Sequence, residues 1–259
     1  MTRTRLERPR VDRAQLPGHI GIIMDGNGRW AKARGRERTF GHRAGARAVR
    51  RVVRACRRLG VRALTLFAFS AQNWGRPEDE VRILMELLYE FIVQEWREIM
   101  ARDIRVVHLG ELGRVPIEVR DKLRALVSAS RHNRSMTLAL ALSYGGREEI
   151  VRAARLLAGR AARGALRAAE VDEPRVARAM YTRGLPELDL LVRTGGERRI
   201  SNFLLWQSAY AELSFTDVLW PDYRVADLHA AIADFQHRRR RFGLTDEQVV
   251  ARGGRRDWS

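Results

Sequence analysis

Six short apolar runs recur along the chain: HIGIIMD (19–25), RALTLFAFS (62–70), IRVVHLG (104–110), MTLALALSY (136–144), LDLLVRTG (188–195) and AELSFTD (211–217). Most are continuous rather than alternating, the pattern of strands buried on both faces. Between them lie helix-like segments at Gly45 to Leu59, Pro77 to Met100, Ile117 to Ser130 and Glu148 to Gly159, and Val225 to Arg241 follows the last run. Strand and helix alternating in this way predict an α/β fold: a single domain with a largely parallel central sheet of about six strands, flanked by helices. No internal repeat, low-complexity tract or linker divides the 259 residues.

The longest helical segment, PEDEVRILMELLYEFIVQEWREIM, opens with Pro and three acids, which suit the positive end of a helix macrodipole. Val81, Leu84, Leu88, Phe91, Ile92, Trp96 and Ile99 recur at helical spacing, and Met85 and Leu87 widen the stripe. Such a stripe is either plain core or one wall of an apolar tunnel between the helix and the sheet.

With 45% hydrophobic residues the chain can bury a substantial core. No apolar run reaches the eighteen or more residues of a membrane span, and the Arg-rich opening MTRTRLERPRVDR lacks the apolar stretch of a secretory signal. A cytoplasmic location is the expectation. The one cysteine, Cys56, excludes an intramolecular disulfide and a cysteine zinc site, and its apolar surroundings mark it as a core residue. A net charge of +18 points to polyanionic partners, namely nucleic acid, anionic lipid or phosphorylated small molecules. Only Lys32 and Lys122 are lysines, however, so nearly all the positive charge is arginine, as a high-GC base composition produces without functional selection.

Open parallel sheets bind ligands at the carboxyl ends of their strands. The polar residues cluster there: Asp25-Gly26-Asn27-Gly28-Arg29 after the first run, SAQNWGR (70–76) after the second, SYGGR (143–147) after the fourth and RTGGERRIS (193–201) after the fifth. Gly26 and Gly28 permit positive φ and close approach of backbone N–H groups to an anion, and Arg29 adds a guanidinium fork. The spacing matches neither a Walker A loop nor a G-x-G-x-x-G loop, and D-G-N-G is also good turn chemistry. The carboxylate of Asp25 beside arginines suits Mg²⁺, which takes a few carboxylate oxygens plus phosphate oxygens. Arg193, Arg198 and Arg199 with Ser201 are either a second anion site or a solvated run. His42, in F-G-H-R-A-G near Arg38, is read as sitting just before a helix, as a cap or as a hydrogen-bond donor to phosphate. No zinc spacing and no G-x-S-x-G elbow is present.

HIGIIMDGNGRWAK, FGHRAG, LTLFAFSAQNWGRP, SYGGR, LVRTGGERRISNFLLWQSAYAEL and FTDVLWPD, in that order from about Pro17 to Gly243, resemble the cis-prenyltransferases, the undecaprenyl diphosphate synthase family of isoprenyl transferases. The resemblance implies a catalytic domain over 17–243, between an N-terminal arm (1–16) and a C-terminal tail (244–259). It implies a Mg²⁺-dependent homodimer that condenses isopentenyl diphosphate with an allylic diphosphate, commonly farnesyl diphosphate, to give a cis-polyprenyl diphosphate of the undecaprenyl lipid-carrier type. Carried over by residue, Asp25 would help bind Mg²⁺, with Glu212 assisting at the metal or the incoming substrate. Gly26, Asn27, Gly28, Arg29, Trp30, Arg38 and His42 fall at the allylic diphosphate, and Arg193, Arg199 and Ser201 at the diphosphate of isopentenyl diphosphate. Ser70, Asn73, Trp74 and Arg76 fall in the loop that closes over both substrates, and Arg241-Phe242-Gly243 matches an R-x-G motif offered across the dimer. The base that removes the proton is Asp25, Asn73 acting through water, or the departing diphosphate. Leu84, Met85, Leu88 and Met136 are the expected tunnel residues.

The sequence departs from the family pattern at Gln72, where an acid often precedes N-W, at Arg198, and at Ser143, where Asn commonly precedes Y-G-G-R. The absence of any DDxxD motif argues against the trans-prenyltransferases. A short- or medium-chain cis-prenyl diphosphate synthase and a non-catalytic prenyltransferase subunit are the alternatives within the class. Nucleic acid is not expected as a partner, because the aromatic interleaving of single-strand readers is missing. Peripheral contact with membrane at product release is a further expectation.

Overall fold

The computed structural model describes residues 10–238. All six runs form strands: β1 (His19–Ile23), β2 (Ala63–Ser70), β3 (Ile104–Leu109), β4 (Met136–Tyr144), β5 (Leu190–Arg193) and β6 (Glu212–Phe215). They make one sheet in the order β3-β4-β2-β1-β5-β6, every neighbouring pair parallel. Among the described residues six α-helices lie between them, α1 (Asn27–Lys32), α2 (Arg38–Leu59), α3 (Glu78–Ala101), α4 (Ile117–Ala129), α5 (Gly146–Ala162) and α6 (Glu173–Ala179), and α7 (Val225–His237) follows β6.

Side chains of alternating strand positions divide the core. Leu138, Leu140 and Leu142 of β4 join Val52 and Cys56 of α2, Ile92 of α3, Leu123 of α4 and Ile232 of α7 in the larger layer. Ala139 and Ala141 face the other way, toward a smaller cluster built on Tyr144, Leu191, Phe203 and Leu204. Burial pushes the Cys56 thiol up to about 12, consistent with an inert core thiol.

One helical feature differs from the sequence expectation. α2 begins at Arg38, seven residues before Gly45, so His42 lies inside the helix rather than before it. Its glycines explain both the error and the structure. A Cβ on Gly41 would stand 2.0 Å from the backbone oxygen of Asn27, and one on Gly45 would stand 2.4 Å from Asn27 Oδ1. These two residues, one turn apart on one face, are bare so that α1 can lie against α2. The six-residue α1 begins within the D-G-N-G turn chemistry, at Asn27. Its N-cap is Gly26, which takes φ +109 and could carry no side chain without striking Leu219.

The sheet order defines where a ligand belongs. From β1 the chain moves outward to β2 and on to β3 and β4, then crosses back to place β5 on the other side of β1. The crevice between the carboxyl ends of β1 and β5 is therefore the topological switch point. Ile23 pairs with Arg193 there, so the segments that follow β1 and end β5 emerge side by side.

Candidate active site

Thr194 ties the two strand ends together. Its hydroxyl donates to the Asp25 carbonyl at 2.8 Å and accepts from the Asp25 N–H at 3.0 Å. Gly195, at φ +87, passes so close that a Cβ would stand 3.0 Å from the Asp25 carbonyl and 2.7 Å from Arg29 Nη2. Sequence reasoning missed Thr194; its hydroxyl directly after a buried strand and before two glycines was the available signal.

This frame fixes the Asp25 carboxylate. Arg193 Nη2 donates to Asp25 Oδ2 at 3.0 Å, and Arg29 Nη2 lies 3.2 Å from the same oxygen. Arg193 is only 5% exposed, and its Nη1 donates to Ser201 Oγ at 2.6 Å and to the Arg199 carbonyl. The turn holding Ser201 is unusual: Ser201, Asn202 and Leu204 all take positive φ, at 47°, 62° and 46°. Three L-residues in the left-handed region cost roughly 1 kcal/mol or more each, so the surrounding contacts must dictate this shape.

A second carboxylate organises the opposite wall. Glu80 of α3 lies 2.9 Å from Arg76 Nη1 and 3.6 Å from Arg38 Nη1. Gly28 serves this side in an unexpected way. It is helical, without positive φ, and its missing Cβ leaves room for Arg38, whose Nε would lie 2.9 Å from it. His42 faces the same wall. Burial, then the charges of Arg76 and Arg38, lower its pKa to about 4 against the opposing pull of Glu80, so the imidazole is neutral at pH 7.

Between these walls opens a cavity of about 340 Å³, within the usual small-molecule range of roughly 300–1,000 Å³. Its polar end carries Asp25, Asn27, His42, Arg76, Arg193 and Ser201; its apolar end is walled by Leu84, Met85, Leu88, Phe91, Leu140 and Leu142. Three buried polar atoms at the polar end lack a partner among the described residues: Asn27 Oδ1, His42 Nε2 and Arg193 Nε. Buried polar atoms are rarely left unpaired, and three around one cavity mark a ligand site. The wide stripe of α3 is thus partly cavity wall, as its half-buried Leu84 and Leu88 attest. Met136 is not part of that wall; it sits at the amino end of β4, packed in the core, while Leu140 and Leu142 nearer the carboxyl end take the expected place.

The loop after β2 forms a 3₁₀ turn, Ala71–Gly75, closed by a reciprocal pair: Asn73 N–H donates to Ser70 Oγ at 3.2 Å and Ser70 N–H to Asn73 Oδ1 at 3.1 Å. Ser70, Asn73 and Arg76 line the cavity. Trp74 does not; it packs edge-on against Phe69 and donates to Ser143 Oγ at 2.8 Å, anchoring the loop. Trp30 also departs from expectation. It is 8% exposed, stacked on Phe40 between α1 and α2, and packs the scaffold rather than lining the cavity. Arg199 contributes its backbone oxygen to Arg193, while its guanidinium points to Glu197 at 2.6 Å on the surface.

Glu212 does not join Asp25 within one chain. It stands opposite Leu190, which stands opposite Ile20, five residues before Asp25, or roughly 16 Å away along the strands at about 3.3 Å per residue. Arg238 Nη1 holds it at 2.9 Å. Arg241, Phe242 and Gly243 lie outside the described residues. Among the described residues no cluster of three or more His, Cys, Asp or Glu side chains gathers around one point, and no helix is long and apolar enough to cross a membrane.

A switch-point pocket with two carboxylate-held arginine pairs and a greasy trough beneath them suits an anionic ligand that carries an apolar tail. Residues 23–243 match the family model described as "Putative undecaprenyl diphosphate synthase". The chain is 48% identical over 237 residues, 92% of each protein, to the ditrans,polycis-undecaprenyl-diphosphate synthase ((2E,6E)-farnesyl-diphosphate specific) of Xanthomonas axonopodis pv. citri (strain 306). It is 46% identical over 246 residues, 95% of this chain and 93% of the relative, to the isoprenyl transferase of Chlorobaculum tepidum. The crystal structure of lavandulyl diphosphate synthase from Lavandula x intermedia in complex with dimethylallyl diphosphate superposes with a TM-score of 0.87 at 36% identity, covering 89% of this chain and 99% of that one. The chain belongs to the undecaprenyl diphosphate synthase family of prenyltransferases, and it is a transferase.

Proposed function

We propose that the protein condenses isopentenyl diphosphate with an allylic diphosphate, farnesyl diphosphate as primer, and repeats the step to a cis-polyprenyl diphosphate of the undecaprenyl type. The observation that carries this reading is the union of three unpartnered buried polar atoms with an apolar trough in one cavity. A diphosphate satisfies the first and a prenyl tail the second. The Lavandula structure, in complex with dimethylallyl diphosphate, lends the allylic half support by analogy.

In this reading the allylic diphosphate lies against Asn27, Arg29, Arg38 and His42, with its tail running past Leu88 toward Phe91. A neutral His42 donates one N–H to a phosphate oxygen. The diphosphate of isopentenyl diphosphate lies against Arg193 and Ser201, with Arg199 turning inward from Glu197. Cleavage of the allylic C–O bond builds negative charge on the departing diphosphate, which the positioned guanidiniums stabilise, while the apolar wall keeps water from the cationic carbon.

The donor set fits a hard divalent cation of the Mg²⁺ type. Among the described residues Asp25 is the carboxylate that lines the cavity directly, Glu80 standing behind Arg38 and Arg76, and both Arg193 and Arg29 engage its Oδ2. One carboxylate plus phosphate oxygens is how Mg²⁺ is commonly held, and when bound it neutralises charge on the leaving group. Asn73 Oδ1 is occupied by the Ser70 N–H. We therefore assign Asn73 to shaping the loop, and removal of the proton to the departing diphosphate or Asp25.

The protein works as a homodimer in this reading. Among the described residues β6 is the last strand of the sheet, and Glu212, remote from Asp25 of its own chain, would serve a partner's site together with Arg241 and Gly243. It acts in the cytoplasm, and its arginine-rich surface meets anionic lipid when the product leaves. Purified protein with Mg²⁺, farnesyl diphosphate and labelled isopentenyl diphosphate should yield a labelled polyprenyl diphosphate whose length is read by mass spectrometry. No incorporation refutes the reaction; a product of few added units assigns the chain to the short-chain synthases.

A further inference from the structure

We propose that Glu148 is a positioning residue that fastens the Ser70–Arg76 loop to the turn at Ser201–Leu204, so that the two diphosphate-facing segments are ordered together. Its Oε1 accepts from Gln72 Nε2 at 2.9 Å, and its Oε2 accepts from Asn202 Nδ2 at 2.9 Å. Gln72 precedes Asn73, and Asn202 follows Ser201, whose hydroxyl holds Arg193. A single exposed carboxylate thereby connects neighbours of residues on both sides of the cavity.

The far end of this bridge is rigid. Asn202 caps α5: its carbonyl accepts from Gly146 N at 2.7 Å and its Oδ1 from Arg147 N at 2.8 Å. With its side-chain and main-chain oxygens committed and its φ at 62°, Asn202 has one direction left for its amide N–H. The near end is doubly held, because Trp74 of the same loop donates to Ser143 Oγ at 2.8 Å. Gly145 explains how Glu148 reaches back. Its backbone is extended, at φ −155 and ψ 140, which any residue adopts, yet a Cβ there would stand 2.1 Å from Glu148 Oε2 and 2.7 Å from Asn202 Nδ2. The bare Cα is needed for the bridge, not for the backbone. The bridge also gives Gln72 a reason: an acid at that position would set two carboxylates against each other.

The kinetic part of this inference rests on the reaction proposed above; the structural part does not. Gln72→Glu should speed amide exchange across residues 70–76 of the ligand-free protein by about two- to fivefold, the range for an exposed polar pair turned repulsive. It should raise KM for isopentenyl diphosphate by a similar factor while changing kcat less. Adding Glu148→Gln should restore both, because the new amide donates to Glu at 72. Gly145→Ala should loosen the same residues without any change of charge. Unchanged exchange in Gln72→Glu, or no rescue by Glu148→Gln, overturns the inference. If the wild type incorporates no isopentenyl unit, the reaction reading fails, and the exchange data still decide the bridge.

Discussion

Asp25→Asn separates the two tasks assigned to Asp25, holding a cation and setting the arginines. The substitution keeps shape and removes one negative charge from a group whose Oδ2 lies 3.0 Å from Arg193 and 3.2 Å from Arg29. A diphosphate entering this end meets the carboxylate as a like charge. At about 5 Å and an effective dielectric constant near 20, each charge pair costs roughly 3 kcal/mol, and because Asp25 is partly solvated we take ~1–2 kcal/mol. Metal-free inorganic diphosphate should therefore bind Asp25→Asn about tenfold more tightly than wild type, a factor of ten being ~1.4 kcal/mol. Turnover should move the other way, falling by about a thousandfold or more, because charge on the leaving group goes unneutralised. Titration calorimetry of inorganic diphosphate with and without Mg²⁺ reads the first effect, and incorporation of labelled isopentenyl diphosphate the second. In the wild type Mg²⁺ should tighten diphosphate; in the variant that gain should vanish. Weaker metal-free binding by Asp25→Asn would refute the reasoning, since it would mean that the carboxylate serves only to aim Arg193 and Arg29.

Gly41→Ala should lower the melting temperature by several degrees and turnover at least tenfold, since its Cβ would stand 2.0 Å from the Asn27 carbonyl and push α1 away. Gly113→Ala, where an added Cβ meets nothing within 4 Å, is the control in both calorimetry and assay. Leu88→Trp, in the apolar wall, should shorten the product, and an unchanged chain length by mass spectrometry would remove Leu88 from the tunnel. Stability should fall on acidification from pH 6.5 toward 4. His19 is buried and bonded to Thr65 and Pro186, and burial lowers its pKa from 6.5 to about 4. The unfolded chain therefore binds the proton first, so this contribution is complete above 6.5 and lost as pH falls through the window, on the order of 3 kcal/mol by pH 4. Denaturant unfolding at pH 7, 5.5 and 4.5 measures it; a flat profile would contradict the assignment.

The strands were legible because a sheet covered on both faces writes continuous apolar runs, and no observed strand strays more than two residues from its run. Helix starts were less legible. Gly41 and Gly45 lower helix propensity, so FGHRAG reads as a turn, yet those glycines are present because two helices touch there. α6, seven residues with no buried side chain, offers no apolar stripe at all. In the site, the rule that ligands sit at carboxyl strand ends pointed to Asp25, Arg193 and Ser201, which the structure brings to one cavity. Membership of a motif did not locate side chains. Trp30 and Trp74 stand in the same motifs as Asn27 and Asn73 but turn away from the cavity, because a neighbour in sequence on a helix or 3₁₀ turn faces another direction. Met136 failed for a similar reason: side-chain face was right, but depth along the strand decides what meets the cavity.

Arginine abundance made the basic site hard to distinguish from background, and the placement of paired arginines beside an apolar cavity resolves it. Sharing of one acid by two arginines also occurs away from the cavity: between α2 and α3 Arg50 pairs with Glu95, while Glu98 holds both Arg54 and Arg102. Around the cavity the same two-to-one ratio occurs twice. Asp25 is shared by Arg29 and Arg193, and Glu80 by Arg38 and Arg76. Each carboxylate holds two guanidiniums in place and neutralises only one. Every such trio keeps a net positive charge with its donors already aimed, one trio on each side of the same cavity. Preorganised charge of this kind needs little rearrangement when an anion arrives, and that is the condition under which electrostatic stabilisation of a leaving group is largest. Two such trios facing one apolar trough match a reaction that brings two diphosphates together; the trough, rather than the sharing alone, sets them apart from Glu98 with Arg54 and Arg102.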